Sequence, residues 1–261
     1  MWAKTITGTM ARRLLVNWRI PLDAARRALP ARVRPSAING HAIAGLCLVR
    51  LTQMRFPGMP AWAGLASENL AIRMGVEWDA PQGLRKAVLI FRRETGSAVN
   101  AFVGARIRFG IHHRGTFHVH DDGTSVAIRA RGTNYRHSLS VRVRPADHIP
   151  ATSIFDGMPQ VETFFRSGEC GYSPAAEPGM WDGIRLRLHH WDLQPMEIGH
   201  ARSSLMDDLF DGQARVDSAY IMRNIEHTWT AEESVRLGAT PENNAAAEAP
   251  GHVSALHAVA A

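Results

Sequence analysis

The stretch SENLAIRMGVEWD (67–79), APQGLR (80–85), KAVLIFRRE (86–94), TGSAVNAFVG (95–104) carries the reading of the fold. Ile72, Met74, Val76 and Trp78 alternate with Arg73, Gly75 and Glu77, the two-residue period of a half-buried β-strand. A polar turn follows and leads into residues 87–91 (AVLIF), whose unbroken apolar run fits a strand covered on both faces. That strand ends in Arg92, Arg93 and Glu94 and turns through Gly96, which places charged groups at a strand end. Binding sites of barrels often sit at such mouths. Buried there, Arg93 and Glu94 would need partners, because an isolated buried charge is costly. The competing reading is a surface strand end whose charges are solvated.

The same alternation recurs on both sides of this stretch. Ala105, Ile107 and Phe109 alternate with Arg106 and Arg108, Val126, Ile128 and Ala130 with Arg129 and Arg131, and Leu139, Val141 and Val143 with Arg142 and Arg144. Leu186 and Leu188 alternate with Arg185 and Arg187. Asp121, Asp122 and Gly123 form a turn signal that pairs the Phe117/Val119 strand with the one after it as a hairpin. In each case the arginine-bearing face is expected to be the solvated side of a sheet. Residues 41–49 (HAIAGLCLV) read as another strand covered on both sides. Helices are short: residues 21–29 before the stop at Pro30, residues 158–167 with Pro159 in the first turn, and a turn or two over 97–103. Periodicity fades after Trp229, so residues 1–231 are expected to form one domain and 232–261 an Ala-rich disordered tail. Many strands, few helices and antiparallel turns predict a mainly β (β-rich α+β) fold, a barrel or sandwich.

Composition narrows the function classes. The chain has 261 residues and a net charge of +6, carried by 28 arginines and only two lysines, Lys4 and Lys86. The basic residues are scattered as pairs and aromatics are few, which argues against a nucleic-acid module. No apolar run reaches the roughly 18 residues that span a bilayer, and the N-terminus lacks the apolar core of a secretory signal. Cys47 and Cys170 are far apart and form no CxxC pair. A cytoplasmic protein with no membrane partner is the resulting expectation.

The familiar chemical signatures are absent: no GxSxG, HExxH, P-loop or GxGxxG after a strand. Cys170 in SGECGYSP reads as a packed cysteine. His118 and His120 share one face of a strand and, with Asp122, would be a candidate divalent-metal site, but a third ligand and an outer shell are missing from the pattern. The wet face of a hairpin is the simpler account, and no metal or cofactor is expected.

The segments RRLLVNWRIPLDAARRALPARVRP (12–35), NGHAIAGLCLVRL (39–51), SENLAIRMGVEWD, FRRETGSAVNAFVG (91–104), GYSP (171–174) and IMRNIEHTW (221–229) together resemble the DUF2071, or YqjF-like, family, over residues 7 to 230. That family is similar to acetoacetate decarboxylase, through the segment NWRIPLDAARRALP and through FRRETGSAVNA. The resemblance implies a cone-like antiparallel β-barrel around a small, largely apolar pocket. In the decarboxylase a lysine forms a Schiff base with a β-keto acid, next to a second lysine. Here the two lysine positions fall on Asn100 and Ala101, neither of which forms an imine. Glu94 matches a pocket glutamate, Glu68 falls near another, and Arg12 or Arg13 falls near a pocket arginine. Lys86 begins a strand after a polar turn and is expected to be exposed.

The expectation is therefore a decarboxylase-like barrel that binds a small carboxylate or carbonyl compound and does not decarboxylate acetoacetate. Arg93, Arg12, Arg13 and Asn69 are the candidate ligand-binding residues; arginine suits a carboxylate because its fork donates two parallel hydrogen bonds. The alternative is a lysine-independent lyase, dehydratase or isomerase with Glu94 or Glu68 as acid and base and Asn100 as donor to an oxyanion. Two further alternatives are metal binding through His118 and His120, and a pocket filled by side chains that leaves a structural role. Members of this fold class often assemble, so a homo-oligomer is compatible with the pattern.

Overall fold

The alternating stretches form strands of one sheet that closes on itself in two directions. The computed structural model describes residues 5–98, 110–133 and 137–240. In chain order these contain β1 (Thr5–Pro21), α1 (Leu22–Arg27), β2 (Arg34–Pro35), β3 (Ala37–Ile38), β4 (His41–Arg55), β5 (Leu65–Ala80), β6 (Gly83–Thr95), β7 (His113–Asp121) and β8 (Val126–Gly132). There follow β9 (Ser138–Pro145), α2 (Met158–Arg166), β10 (Cys170–Pro174), β11 (Met180–Leu188), β12 (Gln194–Ser203), α3 (Ser204–Leu209) and β13 (Arg215–Arg236). Asn100 and Ala101, the 97–103 turn and the 105–109 strand lie outside the described residues, apart from the first two positions of that turn.

Five long strands in the order β13–β1–β4–β5–β6 make a common wall. On one side β10 joins β6 in parallel (Gly171 with Val88), β11 joins β10, and β11 returns to β13 (Leu188 with His227), so seven strands form a ring. On the other side β7 joins the end of β6 (Glu94 with His113), and β8, β9 and β12 lead back to β13 (Met196 with Ala219). The wall thus has no solvated face over most of its length. Leu14, Val16, Trp18 and Ile20 of β1 join the core shared with Ile128, Val141 and Val143, while Leu15 packs with Tyr220, Met222 and Phe165 on the opposite side. This is why β4 and β6 read as continuously apolar.

Helix α2 closes one end of the seven-strand ring. Phe165 stacks edge-on against Tyr220 with centroids 5.7 Å apart. Phe164 lies so close over Gly75 that a Cβ there would stand 2.7 Å from its ring. The capped helix α3, where the Ser203 hydroxyl accepts from the Met206 amide, is too short to show a period in the sequence.

Two expectations need correcting. Arg73 does not face solvent: it is buried at 6% exposure, because the strand that carries it has a ring on each side. Arg129, Arg131, Arg142 and Arg144, on the outer strands β8 and β9, are exposed as the alternation predicts. The last strand runs to Arg236, paired with Met180, so the ordered chain passes beyond residue 231.

His227 on β13 is 1% exposed, its ring nitrogens have no hydrogen-bond partner, and it packs edge-on against Trp229. Burial, with Arg13 adding to it, pushes its pKa down to about 4. Between the ordinary histidine value of about 6.5 and that value the unfolded chain takes up a proton that the folded chain refuses. Stability therefore falls as pH drops through this window and is fully present above it. We expect thermal unfolding to show a falling Tm from pH 6.5 to 4 and His227→Phe to flatten that slope.

Candidate functional site

The seven-strand ring encloses a cavity of about 470 Å³ to which every one of its strands contributes. Met10 and Arg13 come from β1, Cys47, Val49, Leu51 and Met54 from β4, Asn69, Ala71 and Arg73 from β5, Val88, Ile90 and Arg93 from β6, Gly171 from β10, Ile184 and Leu186 from β11, and Trp229 from β13. The volume suits a small organic ligand. The cross-strand register orders these groups along the barrel. Gly45 pairs with Arg73, Cys47 with Ala71 and Ala71 with Arg93, then Val49 with Asn69, and finally Met54 with Leu65. Arg73 and Arg93 therefore lie toward the α2 end, and Arg55, next to Met54, toward the opposite one. Leu51, Met54, Phe56, Met59 and Leu65 lie toward that opposite end, where Met59 and Leu65 are exposed and the cavity reaches the surface.

Four arginines line the cavity, and the three other than Arg55 carry few carboxylate partners. Arg73 donates from Nη2 to Oδ1 of Asn17 at 2.9 Å, and its guanidinium lies 5.0 Å from the Phe165 ring centroid. Arg93 donates from Nε to the Ser173 hydroxyl at 2.7 Å, but its Nη2 is buried without a partner. Arg13 reaches only the Met222 sulfur at 3.8 Å, and its Nε is buried without a partner. Burial pushes the pKa of Arg73 and of Arg93 down to about 10, so both remain cationic at neutral pH. His112 adds a neutral group. Its Nδ1 lies 3.0 Å from the Gly110 carbonyl, which only accepts, so Nδ1 carries the proton and Nε2 is bare. Burial first, and the charge of Arg93 second, push its pKa down to about 4.

The sequence-derived site divides between the two faces of the wall. Arg93, Arg13, Asn69 and Glu94 contribute to the cavity lining. Asn69 holds its amide on Ser67, 2.9 Å from the hydroxyl. The Glu94 carboxylate accepts from Arg92 Nε at 2.8 Å and is turned toward Gly115 and Gly132, whose missing Cβ atoms leave the room it occupies. Glu68 and Arg12, both expected near the pocket, are not in its lining. Arg12, two residues before Leu14, shares its face by the two-residue period and faces the other ring. There it donates to Glu68 at 2.6 Å and to Asp121 at 3.2 Å, and Arg223 grips the same Asp121 at 2.8 Å. This network fixes the tip of the β7–β8 hairpin to the wall. Lys86 is exposed and not in the lining, and no lysine lines the cavity among the described residues.

Three lining residues had escaped sequence reasoning: Cys47, Arg73 and His112. The signal for Arg73 was present in its alternation but pointed to water, because one strand does not reveal that both of its faces are covered. The residues of the metal alternative are not gathered into a ligand set: His118 and His120 are exposed, and Asp122 accepts with both oxygens from Thr124 and Ser125 in the hairpin turn. Among the described residues no group of three metal-ligating side chains occurs, and no helix is long and apolar enough to cross a membrane.

The β-rich fold is similar to that of solved acetoacetate decarboxylase-like proteins. The chain matches an acetoacetate decarboxylase-like enzyme from Sphingomonas wittichii RW1 with a TM-score of 0.57 at 13% identity, over 91% of this chain and 94% of that one. It matches acetoacetate decarboxylase from Legionella pneumophila with a TM-score of 0.59 at 7% identity, over 89% and 88%. It matches the enduracididine biosynthesis enzyme MppR complexed with pyruvate with a TM-score of 0.52 at 17% identity, over 90% of each. Identities this low establish a shared fold and nothing more. Within that fold class the chain belongs to the DUF2071 family, described as an uncharacterized conserved protein, whose family model matches residues 7–220. Comparison with curated proteins finds no match.

Removing one partner of a buried charge network costs several kcal/mol, less where the remaining groups reach water. Glu68 and Asp121 keep Arg50 and Arg223 within reach. Arg12→Met is therefore expected to cost about 2 kcal/mol in urea unfolding. Because Arg12 faces away from the cavity, ligand binding there should be unchanged.

Proposed function

We propose that this chain binds a small carboxylate or carbonyl compound in the barrel cavity, with its carboxylate on Arg93 and its apolar body toward Leu51 and Met54. The observation that carries this reading is Arg93 Nη2, a buried cationic donor without a partner in a mostly apolar cavity. An unpaired donor in such surroundings costs free energy, and an anion that accepts from it offsets that cost with a charge-assisted hydrogen bond. Arg73 and Arg13 add positive charge to the same lumen. That MppR, a protein of this fold, is found complexed with pyruvate supports a small 2-oxo acid as the ligand class. The cavity's apolar end favours a longer chain than that of pyruvate.

Schiff-base decarboxylation is not part of the proposal. It needs an amine in the pocket, and Lys86 is exposed. A second reading, acid–base turnover of the bound compound, draws support from His112, whose bare Nε2 belongs to a neutral ring lining the cavity. Glu94 suits that role less, since its carboxylate is committed to Arg92.

Calorimetric titration with 2-oxohexanoate and with 2-hexanone tests the binding reading. The acid should bind at least about tenfold more tightly, the contribution of one hydrogen bond to a charged group, and Arg93→Met should abolish the difference. Equal affinity for acid and ketone would remove the proposal. Borohydride treatment with pyruvate present should leave no adduct on Lys86 by mass spectrometry. If His112 acts as a base, His112→Asn should keep binding and lose proton exchange at C3 of the bound 2-oxo acid, read by NMR in deuterium oxide.

A further inference from the structure

The Arg73 and Arg93 end of the cavity also holds a thiol. Cys47 lines the lumen, is partly accessible and forms no disulfide. It pairs with Ala71 on the neighbouring strand, and Ala71 pairs in turn with Arg93; one step deeper, Gly45 pairs with Arg73. The side chain between Cys47 and Arg93 is thus only a methyl group. Gly171 faces the same space, where a Cβ would stand 3.9 Å from Arg93 Nη2. The strand register thus places the thiol one row from Arg93 and one step along its own strand from the row of Arg73, and all three side chains line the same lumen. Positive charge against a partly accessible thiol is the setting in which cysteine becomes a nucleophile. Independently of the sulfur, the unpartnered Nη2 of Arg93 marks where an anion would sit in the same lumen.

We propose that Cys47 is a nucleophilic site for carboxylates that carry an electrophilic carbon close to the carboxyl group. Arg93 holds the carboxylate and presents that carbon to the sulfur. With an α-halo acid the S–C bond forms as halide leaves with the bonding pair, and the thiol proton passes to water. With an α,β-unsaturated acid the S–C bond forms at the β carbon and the proton ends on the α carbon. Neither step needs an oxidant or reductant. The inference rests on the carboxylate reading above and adds a covalent step to it. Cys170 is the natural comparator: it is 8% exposed, and burial pushes its thiol up.

Iodoacetate and iodoacetamide differ in the charge that Arg93 would recognise, and peptide mass spectrometry reads their rates at each cysteine. In the urea-unfolded chain no pocket exists, so its ratio of the two rates is the reference. In the folded chain the iodoacetate-to-iodoacetamide ratio at Cys47 should exceed that reference at least about tenfold, with no such rise at Cys170. Arg93→Gln should return it to the reference while the circular dichroism spectrum is unchanged. An unchanged ratio at Cys47 in the wild-type chain overturns the inference without recourse to any variant, as does a rise that survives Arg93→Gln. Calorimetry of Cys47→Ser with 2-oxohexanoate separates the two readings. Binding retained while the wild-type thiol shows no iodoacetate preference sinks the thiol's role alone. Failure of 2-oxohexanoate to bind, with the preference present, sinks the 2-oxo acid reading and leaves the nucleophile standing.

Discussion

A strand with protein on both sides has no spare face, and the five-strand wall of this fold puts that constraint on most of its residues. Side chains alternate across it, so each position belongs to one ring or the other. Arg12 and Arg13 show how sharply the parity divides them. Arg12 enters the larger ring and is met by Glu68 and Asp121, which together hold a hairpin tip to the wall. Arg13, one residue later, enters the cavity of the smaller ring and meets a thioether. The two differ in partner chemistry because the elements facing each side of the wall differ.

The same constraint explains what the sequence made legible. Alternation located β5, β7, β8, β9 and β11 but not β1, β10, β12 or β13, and continuous apolar runs in β4 and β6 signalled strands covered twice. The hairpin at Asp121–Gly123 and the two helices with punctuation at Pro21, Pro30 and Pro159 were also readable. The destination of each face was not. Arg73 and Arg129 occupy equivalent positions in similar alternating patterns, yet one is buried beneath α2 and the other is in water. That difference is set by β10, β11 and α2, which arrive a hundred residues or so later in the chain. Glu68 and Glu94 likewise looked alike as pocket carboxylates, and only the register separates them. The family resemblance supplied the barrel, and it supplied a pocket, but not which neighbours of Arg13 would enter it.

Burying guanidinium groups is expensive unless each is satisfied, and the cavity satisfies them unevenly. Arg73 has Asn17 and the face of Phe165, a cation–π contact that suits a desolvated cation. Arg92 has Glu94, whose own space is made by Gly115 and Gly132. Arg93 has one serine hydroxyl, and Arg13 has less. Of the guanidinium nitrogens buried without a partner, Arg13 Nε and Arg93 Nη2 are on the lumen side and Arg12 Nε is on the other, where Arg12 is held by Glu68 and Asp121. A fold optimised for stability alone would leave neither lumen donor unpaired, since a paired or apolar residue at Arg93 would be cheaper to bury. The free energy held in the lumen donors is a cost that an anionic ligand would offset.

The scarcity of lysine bears on the chemistry of the lumen more than on net charge. An amine and a guanidinium differ in what they let a pocket do: a lysine of lowered pKa attacks a carbonyl, whereas an arginine stays protonated and only binds. Arg73 and Arg93 keep their charge even after burial lowers them to about 10. Among the described residues the lumen of this barrel presents arginines and no lysine. Any reactive group must then come from another side chain on the same rows. Cys47 and His112 are the lining residues with the chemistry to serve, one as a sulfur nucleophile and the other as a neutral base. The same rows carry Arg73 and Arg93, so the sign of a ligand's charge is the property that the proposed binding and the proposed thiol chemistry would both read.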